Sequence, residues 1–259
     1  MAGSARRPIV AGNWKMHLVR AEAEVLCSAL RAGLPATPPA DVVLFPSFPL
    51  LVPVATALEG SPVALGGQDL HWEEKGAHTG DVSAHQLLDS SCQWVLCGHS
   101  ERRRDHGESD ATVLAKACAA LAAGLRPVVC VGETRDERRS GRTFDVLARQ
   151  VAELPADPRL VVAYEPVWAI GTGETATPET AADAHAFLRE RLARGWGEPA
   201  AASLRILYGG SVTPDNAGEL AAQADVDGFL VGGASLDPAR FLAILHAFDP
   251  PGSASRGNP

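Results

Sequence analysis

Residues 161–174 read VVAYEPVWAIGTGE. The apolar, β-branched start has the character of a strand buried on both faces, as strands of parallel sheets are. It ends in a bare carboxylate, Glu165, set by Pro166 and followed by Gly171-Thr172-Gly173. A doubly buried strand cannot solvate an ionised acid, so Glu165 either stands at a mouth or has its pKa raised. Beyond the glycines, residues from Pro178 to Arg194 have a helical period, with Thr177 as N-cap and Pro178 in the first turn.

This unit of strand, polar tip and helix recurs eight times. Strands are expected at Ile9–Gly12, Val42–Phe45, Val63–Gly66, Trp94–Cys97, Pro127–Val131, Leu160–Tyr164, Ile206–Tyr208 and Gly228–Val231. Helices are expected to include Ala21–Arg31, Ala111–Ala123, Phe144–Leu154, Pro178–Arg194, Pro214–Ala222 and Pro238–Ala247. Such alternation implies parallel strands joined by right-handed crossovers. Eight units in about 250 residues is the count at which the sheet closes into a (β/α)8 barrel, although an open doubly wound sheet fits the pattern too. No linker or composition shift divides the chain, so residues 1–249 are expected to form one α/β catalytic domain. Residues 250–259, rich in Pro, Gly and Ser, are expected to be a disordered tail.

The chain has 259 residues, 46% hydrophobic and 21% charged, a globular composition rather than a disordered one. Its net charge of -8 argues against a broad nucleic-acid surface, and no apolar run reaches the length of a membrane span, since Lys116 and Arg126 interrupt the most apolar region. The N-terminus lacks the apolar stretch of a secretory signal. Five cysteines with no paired spacing read as reduced core thiols, which favours the cytoplasm. The only lysines are Lys15, Lys75 and Lys116, so each merits a question.

In a closed parallel barrel all strand C-termini meet at one mouth, where chemistry is found. The residues there are Asn13 and Lys15 after the first strand, His99, Ser100 and Glu101 after the fourth, and Glu165 after the sixth. Gly209-Gly210-Ser211 follows the seventh and Gly232-Gly233 the eighth. Taken singly, His99 is more often a packing or capping histidine, Lys15 a surface lysine and Asn13 a turn residue. Together they offer a carboxylate base and donors for a developing oxyanion, which suits moving a proton between carbons beside a carbonyl. Nothing in the set is a good covalent nucleophile. The two glycine pairs, with Ser211 and Lys15, suit a phosphate held by backbone amides. The apolar segment Val167-Trp168-Ala169-Ile170 with its glycine-flanked hinge suits a lid that excludes water, or alternatively an interaction patch.

The segments AGNWKM (11–16), GAHTGDVSA (76–84), CGHSERR (97–103), CVGET (130–134), AYEPVWAIGTG (163–173), LYGGSVTPDNAGEL (207–220) and DGFLVGGASL (227–236) span almost the whole chain in order. On them the sequence resembles the triosephosphate isomerases. The resemblance implies a TIM barrel that interconverts dihydroxyacetone phosphate and D-glyceraldehyde 3-phosphate, with no cofactor and no metal. It implies Glu165 as base, His99 as neutral electrophile, Lys15 as countercharge, Asn13 as orienting amide and Glu101 as supporting neighbour. Gly171, Ser211, Gly232 and Gly233 would hold the phosphate. It also implies a homodimer, with Thr79 reaching toward the partner's site. The sequence departs from the family at His78, where Phe or Tyr is usual, at Asp69 for Asn and at Asp81 for Glu, which bears on the dimer contact.

Other readings compete. An isomerase of the same fold acting on a four-carbon ketose phosphate would share the same residues. GTGETA (171–176) formally fits a dinucleotide loop, but RILYGG has no acid for the ribose. Cys92, Cys97 and His99 could ligate a metal but lack a fourth ligand at a recognisable spacing. A non-enzymatic phosphate-binding module would not need Glu165, His99 and Lys15 together.

Overall fold

The computed structural model describes residues 6–169 and 176–250. Its strands are β1 (Ile9–Asn13), β2 (Asp41–Phe45), β3 (Val63–Gly67), β4 (Trp94–Cys97), β5 (Arg126–Val131), β6 (Val161–Tyr164), β7 (Arg205–Tyr208) and β8 (Gly228–Val231), each within one residue of its expected ends. They pair in chain order, all parallel, and β8 returns to β1. The sheet is therefore a closed eight-stranded barrel and not an open doubly wound one. Ile9 is the closing residue, in register with Asp41 on β2 and with Gly228 on β8.

Alternation along the strands sorts their side chains into two apolar layers. Ile9, Ala11, Val43, Phe45, Trp94, Leu96, Val161 and Ala163 belong to the set that fills the barrel, whereas Val10, Val42, Leu44, Val95 and Val162 pack outward under the helices. Burial on both faces is what gives the strands their uninterrupted apolar runs. At the N-terminal end, Trp94 has the guanidinium of Arg126 at 5.2 Å and that of Arg205 at 5.6 Å, and Asp41 holds Arg205 at 2.8 Å. This plugs the floor.

The six expected helices lie at Arg20–Gly33, Asp110–Ala123, Thr143–Gln150, Pro178–Trp196, Pro214–Ala221 and Pro238–Leu245. Thr177 and Asp237 cap two of them, accepting from Thr180 N–H and from Ala239 and Arg240 N–H. The third was expected to run on to Leu154. Instead Ala152 N–H and Leu154 N–H bond back only three residues, to Arg149 and Val151, so the chain continues as turns. Five further helices, Leu51–Ala57, Ala84–Asp89, Ser100–His106, Arg135–Arg139 and Glu198–Ser203, are too short to display a helical period. Capping announces two of them: Gln86 accepts from Ser83 N–H and Glu137 from Thr134 N–H, both at 2.8 Å. All five cysteines are unpaired and four are buried.

His185, on helix Pro178–Trp196, is fully buried between Tyr164 and Tyr208. Its Nδ1 lies 2.9 Å from the Asp225 carbonyl, and its Nε2 has no hydrogen-bond partner among the described residues. Desolvation pushes this imidazole down to about 4. An unfolded histidine titrates near 6.5, so the unfolded state binds the extra proton first. The stability at stake is fully present above about pH 6.5 and lost as pH falls through about 4.

Two predictions come from this frame. Gly228 has φ +142, and a Cβ there would lie 1.9 Å from the Ile9 carbonyl oxygen at the β1–β8 seam. Gly228→Ala should cost roughly 4 kcal/mol or more, and a thermal melt lowered by less than about 5 °C would show the seam to be more forgiving. Between pH 7 and pH 4.5, His185 alone should remove on the order of 2 kcal/mol of stability. In denaturant titrations at the two pH values, His185→Asn should lose correspondingly less than the wild type; equal losses would contradict the assignment.

Candidate active site

Barrel closure gathers residues that the chain separates widely. Asn13, Lys15, His99, Glu165, Ser211, Gly232 and Gly233 line one cavity of about 300 Å³ at the C-terminal ends of the strands. Glu101 lies outside its lining but bonds to Lys15 and shares with Lys15 and His99 an adjoining hollow. Gly171, the glycine-flanked hinge and the GTGETA stretch up to residue 175 fall outside the described residues, as does the tail from 251.

Glu165 directly follows β6 and is 2% exposed. One carboxylate oxygen accepts the Ser100 N–H at 2.9 Å; the other lies 3.2 Å from His99 Nε2. The acid is therefore held at a mouth by an amide from the β4 tip. Its own N–H donates to the Val131 carbonyl at 2.7 Å. The β5 tip passes so close that a Cβ on Gly132 would fall 1.8 Å from the Glu165 carbonyl oxygen. Cys130 is fully buried beside it, and burial first, then the Glu165 charge, push that thiol well up, so it is no nucleophile.

His99 is buried at the start of helix Ser100–His106, and its Nδ1 accepts the Glu101 N–H at 3.2 Å. A ring nitrogen that accepts cannot carry the proton, so the hydrogen of the neutral ring is on Nε2, facing Glu165 and the cavity. The backbone thereby turns His99 into a donor aimed at the site.

Lys15 holds a left-handed backbone, φ 52, which is unfavourable for a residue with a Cβ. Its N–H donates to Asn13 Oδ1 at 3.0 Å, and its carbonyl accepts from Gln68 Nε2 at 2.8 Å, which also reaches the Phe45 carbonyl at 2.9 Å. The ammonium lies 2.6 Å from Glu101 Oε1. Burial is the largest single influence on Glu101 and acts upward, yet the Lys15 hydrogen bond and charge, with His99 and Arg104, hold the carboxyl below its ordinary range.

Several residues of this region escaped the sequence reading. Gln68 is one, legible only once β3 is placed beside β2. Glu133 is another: fully buried, it accepts from Trp168 Nε1 at 2.8 Å and from the Tyr164 hydroxyl at 3.1 Å, and pairs with Arg138 at 3.3 Å. Arg240, from helix Pro238–Leu245, also lines the cavity. Of the other lysines, Lys75 is exposed, whereas Lys116 is buried 2.6 Å from Asp69 and 2.5 Å from Glu108.

His71, His78 and Asp81 bring potential ligand atoms within 4.8 Å of one another. His71 Nδ1 accepts the Glu73 N–H at 3.0 Å, which leaves its Nε2 protonated and turned toward Asp81 at 3.9 Å, a donor rather than a metal lone pair. His78 stacks on the His71 ring with centroids 3.9 Å apart, so the histidine supplies a flat ring where the family usually has an aromatic one.

A sequence model of one family, triosephosphate isomerase, matches residues 8–248. Proteins named triosephosphate isomerase from Moorella thermoacetica and Granulibacter bethesdensis are 52% and 51% identical to this chain over 247 residues. These alignments cover 93% of the chain and 98% and 99% of the relatives. One of the same name from Alkalilimnicola ehrlichii is 50% identical over 259 residues, covering 95% of the chain and all of the relative. With the closed barrel and the gathered strand tips, these likenesses place the chain in the triosephosphate isomerase family.

Proposed function

We propose that this chain interconverts dihydroxyacetone phosphate and D-glyceraldehyde 3-phosphate by proton transfer through an enediolate. One observation carries the reading: a buried carboxylate and a backbone-fixed imidazole N–H, 3.2 Å apart, share a cavity with an ammonium and a pair of glycines. Glu165 takes a proton from the carbon next to the ketone and returns it to the neighbouring carbon. Its Ser100-bound oxygen keeps the carboxylate in place while the oxygen facing His99 works as base. His99 Nε2–H donates to the substrate oxygen on which negative charge grows, and Lys15 offsets that charge. Asn13 orients the same oxygens. Ser211 and the backbone at Gly232 and Gly233 receive the phosphate, together with Gly171. Glu101 positions Lys15 through their ion pair. None of these steps calls on a cofactor or a metal.

The catalytic unit is the single domain 1–249. Among the described residues no helix is long and apolar enough to cross a membrane. The unpaired state of all five cysteines supports a reducing compartment, the cytoplasm. We place a homodimer contact at the loop around Thr79, where residues His78–Asp81 are exposed and Trp72, stacked on His71 beside His78, presents apolar surface.

Glu165→Asp retracts the base by about one bond, so turnover should fall roughly 100-fold or more while a phosphate-bearing inhibitor binds nearly as before. Unaltered turnover would remove Glu165 from its role. Rates compared on three- and four-carbon ketose phosphates should favour the triose, and a preference for the larger sugar would reassign the substrate. In sedimentation at micromolar concentration the protein should have the mass of two chains; the mass of one would dispose of the dimer.

A further inference from the structure

The phosphate end of the cavity is furnished with neutral groups, Ser211 and the backbone of Gly232 and Gly233, and with Lys15, whose Cε would lie 3.6 Å from a Cβ on Gly232. The full charges named there leave one negative charge over, because Lys15 is bonded to Glu101 at 2.6 Å while Glu165 adds a buried negative charge. The chain as a whole carries -8. A phosphate dianion approaching this mouth therefore meets net repulsion unless a cation stands at the entrance.

Arg240 stands there. It lies in the first turns of helix Pro238–Leu245, is exposed, and lines the same cavity as Ser211, Gly232 and Gly233. Among the described residues it makes no ion pair, whereas Arg102, Arg103, Arg189 and Arg205 are each paired with a carboxylate. Its acidic neighbour Asp237 directs Oδ1 to the Ala239 and Arg240 amides, at 2.9 and 3.1 Å. The guanidinium is left without a carboxylate partner among the described residues.

We propose that Arg240 recruits the substrate's phosphate and sets the preference of this site for dianionic over uncharged small sugars. The inference rests on the isomerase reading above. A guanidinium presents a planar fork that matches two phosphate oxygens. At a solvated rim its attraction is felt over roughly 8 Å at physiological ionic strength, and it acts on encounter and binding rather than on the proton-transfer step.

The test compares wild type, Arg240→Gln, Arg240→Lys and Arg240→Glu with glyceraldehyde 3-phosphate at low and high ionic strength, alongside inhibition by inorganic phosphate. Arg240→Gln should raise KM about 3- to 10-fold with kcat held within about twofold, weaken phosphate inhibition in parallel, and flatten the fall of kcat/KM with salt. Arg240→Lys should restore most of the loss and Arg240→Glu should deepen it. KM and salt dependence equal to wild type in Arg240→Gln and Arg240→Glu would overturn the inference, as would a fall confined to kcat. If the wild type itself fails to turn over the triose phosphate, the isomerase reading is what falls. Calorimetric binding of inorganic phosphate to wild type and Arg240→Gln still decides the role of Arg240, equal affinities overturning it.

Discussion

Everything at the mouth depends on the hydrogen-bonded seam where β8 meets β1. In an open sheet these two strands would be opposite edges, separated by six others, and Asn13 and Lys15 could not lie across from Gly232. Ile9, in register with both Asp41 and Gly228, joins the edges. Parallel pairing all round then sends every strand C-terminus to the same end, while Trp94 between Arg126 and Arg205 fills the other. The position of the site is thus a consequence of topology, and its chemistry a consequence of which residues follow each strand.

Burying an ionised acid at such a mouth needs compensation, since desolvation favours the neutral form. Glu165 receives it from one neutral dipole, the Ser100 amide at 2.9 Å, while its other oxygen lies 3.2 Å from His99 Nε2 with no hydrogen bond among the described residues. Had the compensating group been a guanidinium, the carboxylate would have been a weaker base. The two guanidinium groups that follow Ser100 in sequence, those of Arg102 and Arg103, are instead bound to Glu108, Asp69 and Asp110. The arrangement keeps those two guanidinium groups off Glu165. The tautomer of His99 is likewise fixed by a neutral group, the Glu101 backbone amide on Nδ1.

The fold was legible because the strands are buried on both faces and end in polar tips. That double pattern is visible residue by residue, from Val161 to Glu165 or from Trp94 to His99. The short helices were not, since five to seven residues cannot establish a period of 3.6. The site residues were legible where a charged or glycine-rich tip interrupts an apolar run, as at Lys15, Glu165 and Gly232. Residues whose role is to hold others were hidden. Gln68 matters because its amide reaches carbonyls of residues 15 and 45, and Glu133 because three donors from three segments converge on it. Neither contact is encoded in local sequence. Lys116 drew notice only because lysines are so few, and its burial beside Asp69 gives the Asp at that position a partner.

Helix Ser100–His106 is the piece on which the geometry of the cavity turns, because it supplies the amide to Glu165 and the amide to His99. Left to itself, a helix of two turns would fray. Arg102 ties it to Asp69 after β3 and to Glu108; Lys116 bridges those same two acids from the next helix. Arg103 reaches the Gly98 carbonyl, Asp110 and the Cys130 carbonyl of β5. Burial pushes Asp69 upward, and pushes Glu108 upward too until the hydrogen bonds of Lys116 and Arg102 outweigh it, so the cluster is a poor source of net stability. Its directional bonds join the base of the helix to three neighbouring segments. Apolar packing of equal volume could hold the helix against the barrel but would leave it free to slide, and a slide of 1 Å would separate the Ser100 amide from Glu165 and shift His99, its N-cap, with it. The ionic cluster is therefore best understood as fixing position, with stability supplied by the two apolar layers around the strands.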